Sequence, residues 1–418
     1  MYKLESIEIS GFWGKYKASC SFNKDVNIII GRNGTGKTTF MNILHAVFSV
    51  DLEGLADNSF DEVVVELRDS ESKKKITVKR IDDIVQQVVE YKISTKKYHI
   101  RIISAEDGHR IPMSFKRRIV EESAILREQL KELIDLSSLS VYRLRGGEDY
   151  EIKDRSGRRL VSSVDFRLNQ LMEELTHYQL RLSIEARKIA SKLQKEVLTS
   201  ILYTDQKVRL EARFSDFDKT NETKRLIAAY TQLGFADTDV KKKISNHISA
   251  VDKAIEKLTA TKSNPISDFG ALEAYVRTQN IIRMSLSAEE ETNQIYMHKM
   301  LYLETIKDFI SDKDFSLGDE GGELIVRSSL TGVVPIEKLS SGEKQLLILL
   351  TEALLQNEKT CVYLADEPEL SLHIEWQRKI IPAIKKLNKN AQIIAATHSP
   401  EVAANYKDSI INMKDIVI

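Results

Sequence analysis

The sequence predicts an α/β fold whose core strands come from both ends of the chain, with a helical insertion between them. Two short, largely apolar runs, residues 26–30 and 393–397, have the length and composition of buried parallel strands. No Gly or Pro interrupts residues 158–233 or 271–317, which is typical of long helices. The core is therefore expected to be assembled from the two ends of the chain around a helical segment.

The first of these strands leads directly into a glycine-rich loop. Residues 31–39, GRNGTGKTT, fit the pattern G-x-x-x-x-G-K-[ST], and a helical pattern follows. Backbone N–H groups of such a loop cradle phosphates, and the N-terminus of the next helix adds a positive dipole end. Lys37 would reach the β- and γ-phosphates of ATP, and the Thr38 hydroxyl would bind Mg²⁺. The candidate nucleotide contacts are Asn33, Gly34, Thr35, Gly36, Lys37, Thr38 and Thr39.

Four further motifs lie in the last eighty residues. The segment 339–345, LSSGEKQ, precedes an apolar helix, and residues 361–368, CVYLADEP, read as a buried strand that ends in two carboxylates. Residues 371–373, SLH, follow at once, and residues 393–399, IIAATHS, form another apolar strand that ends in a histidine. For His373 two interpretations stay open: a contact in this loop, or the N-terminal residue of the next helix.

This series closely resembles the ABC-type ATPases, which carry Walker A, signature, Walker B with a following glutamate, D-loop and switch histidine in this order. The resemblance implies that Asp366 holds Mg²⁺, that Glu367 orients or deprotonates the attacking water, and that His398 senses the γ-phosphate. It also implies that Ser340, Ser341 and Gly342 complete the ATP site of an opposite protomer. We therefore expect a homodimer, or a higher homo-oligomer, that closes around ATP and reopens on hydrolysis.

The spacing of the motifs distinguishes branches of that family. Lys37 and Ser340 are 303 positions apart, which disfavours a transporter ATPase and resembles the SMC, RecF and OLD-like branch, where a head is split into two lobes by a helical arm. The amino-acid sequence of the C-terminal motifs is most similar to that of AAA-labelled ATPases of phage-defence systems such as Septu and PARIS. The resemblance implies lobe I at residues 1–112, the arm at 113–318 and lobe II at 319–418.

Periodicity predicts the elements within these parts. Residues 61–67, 75–81, 84–94 and 98–103 read as strands of an antiparallel lobe. Apolar residues from Leu168 to Val197 recur every three or four positions, which predicts one amphipathic helix, with a polar tip at 214–264. The basic stretch 73–80 is expected to be a lysine-rich hairpin turn, with a phosphate-contacting edge as the alternative. None of Gln86, Gln87 and Gln129 has the context of a Q-loop glutamine.

The composition of the chain, and the motifs that its sequence lacks, exclude several classes of function. Lys plus Arg and Asp plus Glu total 62 each, so net charge does not indicate nucleic acid. Two cysteines, the lack of a signal peptide and apolar runs too short to span a bilayer favour a cytoplasmic protein without membrane contact. The sequence shows no HEPN-like or HNH-like histidine pattern, and too few residues follow His398 for a TOPRIM domain. We expect ATP hydrolysis without intrinsic nuclease activity.

Two hypotheses remain at this point. In the first, the chain is the sensor ATPase of a defence complex and holds a separate effector, a nuclease, inactive. In the second, it is a RecF-like or SMC-like repair ATPase that clamps duplex DNA. Duplex affinity with a steep salt dependence distinguishes the second from the first.

Overall fold

The computed structural model describes residues 1–82, 87–102, 113–138, 150–154, 157–200, 217–234, 237–260, 266–318 and 321–418. These residues form two compact units. One consists of Met1–Thr176 together with Leu301–Ile418, and the other of His177–Met300. Gln86, His109 and parts of the predicted tip lie outside the described residues.

The strands, in chain order, are β1 (Lys3–Phe12), β2 (Tyr16–Ser21), β3 (Val26–Ile30), β4 (Glu62–Arg68), β5 (Lys73–Asp82), β6 (Gln87–Ile93), β7 (Lys96–Arg101), β8 (Asp135–Ser138), β9 (Tyr150–Asp154), β10 (Gly157–Val161), β11 (Lys313–Leu317), β12 (Leu324–Ser328), β13 (Gly332–Val334), β14 (Cys361–Asp366), β15 (Gln392–Thr397) and β16 (Ile410–Asn412). The helices are α1 (Lys37–Ser49), α2 (Leu52–Asp57), α3 (Met113–Leu133), α4 (Ser163–Ser200), α5 (Lys219–Gln232), α6 (Thr238–Ala260), α7 (Ile266–Phe309), α8 (Ser341–Leu355), α9 (Ile374–Leu387), α10 (Pro400–Ala403) and α11 (Met413–Ile416).

A parallel sheet with the strand order β16-β3-β15-β14-β8 forms the centre of the first unit. Its inner strands β3, β14 and β15 are largely apolar runs buried on both faces, as expected of parallel strands that helices cover. Asp366 pairs with Ala396 and Thr397 with Ile30, so the carboxyl ends of β3, β14 and β15 meet at one edge. This arrangement confirms the α/β prediction and gathers the predicted motifs at that edge.

An antiparallel sheet with the order β2-β1-β4-β5-β6-β7 packs against α1 in the same core. Burial alternates along β4, with Val63, Val65 and Leu67 inside and glutamates on the other face. The basic stretch 73–80 lies within β5 and is not the predicted turn. Arg80 of this strand donates to the carbonyl groups of Leu55, Ala56 and Asn58, where α2 ends.

One further element differs from the sequence prediction. The segment 135–138, within the predicted helical arm, is strand β8 and pairs in parallel with β14. The end of the chain includes the short helix α11, whose N-cap Asn412 accepts a hydrogen bond from the Lys414 N–H.

The predicted helical insertion, residues 113–318, includes residues of both units. Helices α4 and α7 each begin in one unit and end in the other, and α4 confirms the predicted amphipathic helix over a longer span. In the second unit, α5 and α6 lie within the predicted polar tip. A small apolar cluster joins them to α7, formed by Leu226, Ala229, Ile244, Ile248 and Ile282.

The bases of the two long helices are bonded to α8 inside the first unit. Arg167 of α4 donates to Glu352 Oε1 through Nε at 2.9 Å and Nη2 at 2.6 Å. Lys344 pairs with Asp165 at 2.7 Å, and the Tyr302 hydroxyl lies 2.7 Å from Thr351 Oγ1. Glu352 is 3% exposed, and burial raises its pKa to about 7 although Arg167 lowers it. A buried carboxylate of this kind depends on its cationic partner.

We expect Arg167→Ala to lower the free energy of unfolding by about 3–5 kcal/mol at pH 8, because it leaves Glu352 buried without its cation. Because the pKa of Glu352 is raised in the folded state, the free energy of unfolding decreases as pH rises through about 7 and Glu352 loses its proton. The loss should therefore be smaller at pH 6, where Glu352 takes up a proton. Urea unfolding at both pH values tests this, with the exposed Lys386→Ala as control. An equal loss at both pH values would contradict the prediction.

Candidate functional site

The glycine-rich loop turns directly from β3 into α1. Gly36 is the N-cap of α1 with φ 91°, a conformation that favours glycine, and the Phe40 N–H donates to its carbonyl at 2.8 Å. A Cβ at Gly36 would lie 2.8 Å from Trp13 Cζ2. Both the backbone angle and the packing therefore require glycine here, as the motif predicts. Asn33 and Gly34 lie exposed at the tip of the loop.

Lys37 is buried at the foot of this loop. Its Nζ donates to the carbonyls of Gly31 at 3.0 Å and Arg32 at 3.3 Å, and lies 2.6 Å from His398 Nε2. For that nitrogen to accept, the ring proton of His398 must be on Nδ1. Burial lowers the pKa of Lys37, and the negative charges of Glu367, Asp366 and Glu369 oppose the decrease. The lysine is held by acceptors that phosphate oxygens can replace.

Asp366 and Thr38 form the candidate metal site. Burial raises the pKa of Asp366, while a hydrogen bond with the Thr38 hydroxyl and the charge of Lys37 oppose the rise. Asp366 Oδ1 is buried and has no hydrogen-bond partner in the part of the chain that the structure describes. A carboxylate oxygen and a hydroxyl are ligands that Mg²⁺ prefers, alongside phosphate oxygens. The free Oδ1 therefore fits a Mg²⁺ ion held jointly by the protein and a nucleotide.

Glu367 leaves the end of β14 in an unusual conformation. Its φ is 49°, in the left-handed region, and its N–H donates to the Ala396 carbonyl at 2.7 Å. The carboxylate is about one-third exposed, and Oε1 lies 3.7 Å from His398 Nε2. The turn thus directs Glu367 out of the strand and toward the same space as Lys37 and His398.

The switch loop that carries His398 is held by a residue that the sequence analysis missed. Glu369 Oε1 accepts from Thr397 Oγ1 at 2.5 Å, from the His398 N–H at 3.0 Å and from the Ser399 N–H at 3.1 Å. The only available signal is a third carboxylate at the end of DEPE, and sequence spacing does not show what it contacts.

The signature segment begins α8. Ser340 is its N-cap and forms a capping box with Glu343, which also pairs with Lys313 at 2.6 Å. Burial would raise the pKa of Glu343, but these bonds together lower it. A Cβ at Gly342 would lie 2.5 Å from the Ser371 carbonyl oxygen, so glycine is required for this contact with the D-loop. His373 is the N-cap of α9, in keeping with the second of its two interpretations.

The predicted residues therefore fall into two groups. Lys37, Thr38, Asp366, Glu367 and His398 converge at the carboxyl edge of the parallel sheet. Within the described ranges, no hydrogen bond or ion pair joins Ser340, Ser341 or Gly342 to the phosphate loop. The signature contacts its own D-loop instead, which leaves the exposed Ser340 free to meet another molecule.

Two surfaces border the phosphate loop. Trp13, with φ 54° and 42% exposed, donates from Nε1 to Thr39 Oγ1 at 3.4 Å and lies edge-on to Tyr16. This aromatic pair was also missed. On the other side, a cavity of about 620 Å³ is lined by Gly31, Arg32, His398, Lys407 and Lys414 among others. Both cationic and aromatic surfaces are thus available beside the site.

Two features are absent from the described residues. None of the helices there has the length and apolarity needed to cross a membrane. No group of three or more His, Cys, Asp and Glu side chains in those residues is arranged to hold a metal ion by itself.

Comparison with known proteins identifies relatives of the chain. The family described as "AAA domain, putative AbiEii toxin, Type IV TA system" matches residues 26–404. The "Retron Ec83 probable ATPase" of Escherichia coli is 41% identical over 76 residues, which cover 16% of this chain. The "Septu protein PtuA" of Bacillus thuringiensis is 36% identical over 91 residues, or 19% of this chain.

A third relative, the "Retron Vc95 probable ATPase" of Vibrio cholerae serotype O1 biovar El Tor, is 24% identical over 214 residues, or 46% of this chain. The matched segments cover 14%, 23% and 40% of these three proteins, in the order given.

Solved structures of Smc head domains also align with the chain. One, with an extended coiled coil and bound to the C-terminal domain of ScpA, is derived from Pyrococcus furiosus. It is 15% identical at a TM-score of 0.45, covering 100% of this chain and 96% of that one. A head domain with a coiled coil and joint from Pyrococcus yayanosii is 19% identical at a TM-score of 0.41, with 99% and 95% covered.

Proposed function

The chain belongs to this AAA-domain family, and from that premise we propose that it is an ATPase and the regulatory subunit of a bacterial anti-phage defence complex. In this proposal it binds ATP with Mg²⁺, forms a dimer through its signature segments and controls a separate effector, a nuclease. The observation that carries the ATPase chemistry is the convergence of Lys37, Asp366, Glu367 and His398 at one edge of the parallel sheet.

Each side chain has a separate role in hydrolysis. Lys37 exchanges its bonds with loop carbonyls for bonds with the β- and γ-phosphate oxygens. Thr38 and Asp366 would hold Mg²⁺, which would supply positive charge to neutralise the phosphoryl group that is transferred. Glu367 orients or deprotonates the attacking water, and His398, released from Lys37, contacts the γ-phosphate.

The proposed dimer explains the position of the signature. Ser340 is exposed at the N-terminus of α8, where backbone N–H groups and the helix dipole favour phosphate. Since Ser340 forms no hydrogen bond with the phosphate loop of its own chain among the described residues, we propose that it contacts ATP bound to a second copy. ATP would then hold two copies together until hydrolysis.

We expect Ser340→Arg to block ATP-driven dimerisation without weakening ATP binding by the monomer, because a long cation would fill the proposed interface. The measurement is light scattering of the variant with ATP, in a Glu367→Gln background that slows hydrolysis. The matched control is Ser340→Ala, which removes the hydroxyl, and with it the cap at a cost of about 1 kcal/mol, but adds no bulk and keeps the backbone N–H groups at the start of α8. It should dimerise more weakly than wild type but should not lose the dimer. A normal dimer of Ser340→Arg with ATP would contradict the trans contact.

The similarity to Septu and retron ATPases supports the defence role. The test is affinity purification of Glu367→Gln from its host with ATP and Mg²⁺, and the control is Lys37→Ala, which should not bind ATP. A nuclease recovered in stoichiometric amounts with Glu367→Gln only would support the proposal. Recovery of duplex DNA with repair proteins, and no effector, would overturn it in favour of a RecF-like clamp.

A further inference from the structure

Glu369 is a buried carboxylate with no part in the hydrolysis steps above. It is 9% exposed and lies two residues after Glu367, where β14 leads into the D-loop. Within the described residues, the three hydrogen bonds of its side chain all end on Oε1, and their donors belong to consecutive residues of the switch loop: Thr397, His398 and Ser399. One carboxylate oxygen thus organises the loop that carries the proposed γ-phosphate sensor.

The geometry around this oxygen defines the turn at the end of β15. The N–H groups of His398 and Ser399 both point to Oε1, and the Ser399 N–H also donates to Thr397 Oγ1 at 2.9 Å. Two successive N–H groups that share one acceptor form a tight turn, which a charged acceptor strengthens. The turn sends the His398 ring toward Lys37, where Nε2 lies 2.6 Å from Nζ.

A second contact joins the same two segments. Gln377 of α9 donates from Nε2 to the Leu372 carbonyl at 3.0 Å and accepts from Ser399 Oγ at 2.7 Å. The D-loop and the switch loop are therefore bonded through both Glu369 and Gln377. Because Glu369 is the one that reaches the His398 backbone, it is the one expected to set the direction of the imidazole.

The surroundings of the other carboxylate oxygen of Glu369 suggest substitutions that distinguish a positioning role from a direct role in hydrolysis. Glu369 Oε2 is buried and has no hydrogen-bond partner within the part of the chain that the structure describes. A glutamine would keep an acceptor at the place of Oε1 and put an amide nitrogen at the place of Oε2. An aspartate would keep the charge, but its shorter side chain would withdraw the acceptor from the loop.

We propose that Glu369 is a positioning residue, which acts on ATP hydrolysis by holding the switch loop so that His398 faces the γ-phosphate. The proposal rests on the role assigned to His398 above. It predicts that position 369 requires a side chain long enough to place an acceptor at the switch loop, and does not require a negative charge. Glutamine should therefore be tolerated better than aspartate.

The experiment compares Glu369→Gln, Glu369→Asp and Glu369→Ala by steady-state ATPase kinetics and by hydrogen exchange of peptides that contain residues 397–399. For aspartate and alanine we expect kcat to fall about 100-fold, as for a catalytic group displaced by about 1 Å, with KM little changed. Exchange of the switch-loop amides should rise in the same two variants. Glutamine should keep kcat and amide protection close to wild type.

Glu401→Ala is the matched control, because Glu401 joins the adjacent helix α10 to Arg378 of α9 without contacting the switch-loop amides. It should change neither measurement. The double variant Glu369→Ala with His398→Ala should be no slower than His398→Ala alone, because both changes remove one function. Additive losses would overturn the proposal, since Glu369 would then act independently of His398.

Two further outcomes are decisive. If Glu369→Asp is active and Glu369→Gln is not, the negative charge of the side chain acts directly, and the proposed positioning role is wrong. The two variants can be compared even if Glu369→Ala does not fold. Unchanged exchange in the aspartate variant would also overturn the proposal. If His398→Ala keeps wild-type turnover, the proposed role of His398 fails, whereas the exchange data still decide whether Glu369 holds the loop.

Discussion

Lys37→Ala is expected to weaken ATP binding by roughly 100-fold or more. Lys37 is the buried cation of the phosphate loop, and its present acceptors, the Gly31 and Arg32 carbonyls and His398, mark where phosphate oxygens would bind. Loss of charge-assisted bonds to two phosphates would cost about 3 kcal/mol or more, which corresponds to an affinity roughly 100-fold weaker. Isothermal titration with ATP and Mg²⁺ measures the change directly.

The variant should fold normally, which separates binding from stability. Burial lowers the pKa of Lys37, so folding disfavours its charged form, and removal of the ammonium group relieves that cost. We therefore expect a Tm near wild type without ATP, and no rise in Tm when ATP is added. The control is Lys407→Ala, an exposed lysine on the neighbouring cavity, which should bind ATP normally. Retained ATP affinity in Lys37→Ala would contradict the phosphate-loop assignment.

Much of the sheet could be predicted because its inner strands β3, β14 and β15 are short, largely apolar runs, and each leads at once into one of the predicted motifs. Asp366 and His398 come directly at or after such runs, and carboxyl ends of parallel strands share one edge. The glycine pattern of the loop has a local cause as well, since Gly36 needs its left-handed φ. Features with local causes can be recognised without the fold.

The contacts that the sequence could not show depend on register or on distant pairing. Glu369 reaches the switch loop only because β14 and β15 are aligned as they are, with Asp366 opposite Ala396. Arg167 and Glu352 are 185 positions apart, and each is an ordinary helix residue by sequence. Strand β8 is similarly short and polar, and forms because β14 offers a free edge. Tertiary structure decides these features, so composition and periodicity carry no sign of them.

Glu367→Gln is expected to bind ATP but to hydrolyse it about 10²–10⁴-fold more slowly, the range typical of general-base removal. Glutamine keeps the size and shape of the side chain, so the left-handed turn and the contact with the Ala396 carbonyl should persist. What is lost is the carboxylate that would accept a proton from the attacking water. Single-turnover measurement of phosphate release gives the rate, and titration gives the affinity.

The same variant should accumulate as a dimer with ATP, since the γ-phosphate that joins the two copies is no longer removed. The neighbouring Glu369→Gln serves as the control, because it changes a carboxylate two positions away that we expect to act only by holding Thr397, His398 and Ser399 in place. If Glu367→Gln turned over normally while Glu369→Gln did not, the catalytic carboxylate would have to be assigned to Glu369. Stalled hydrolysis without a dimer would keep Glu367 as the base, and would locate the failure in the proposed contact between copies.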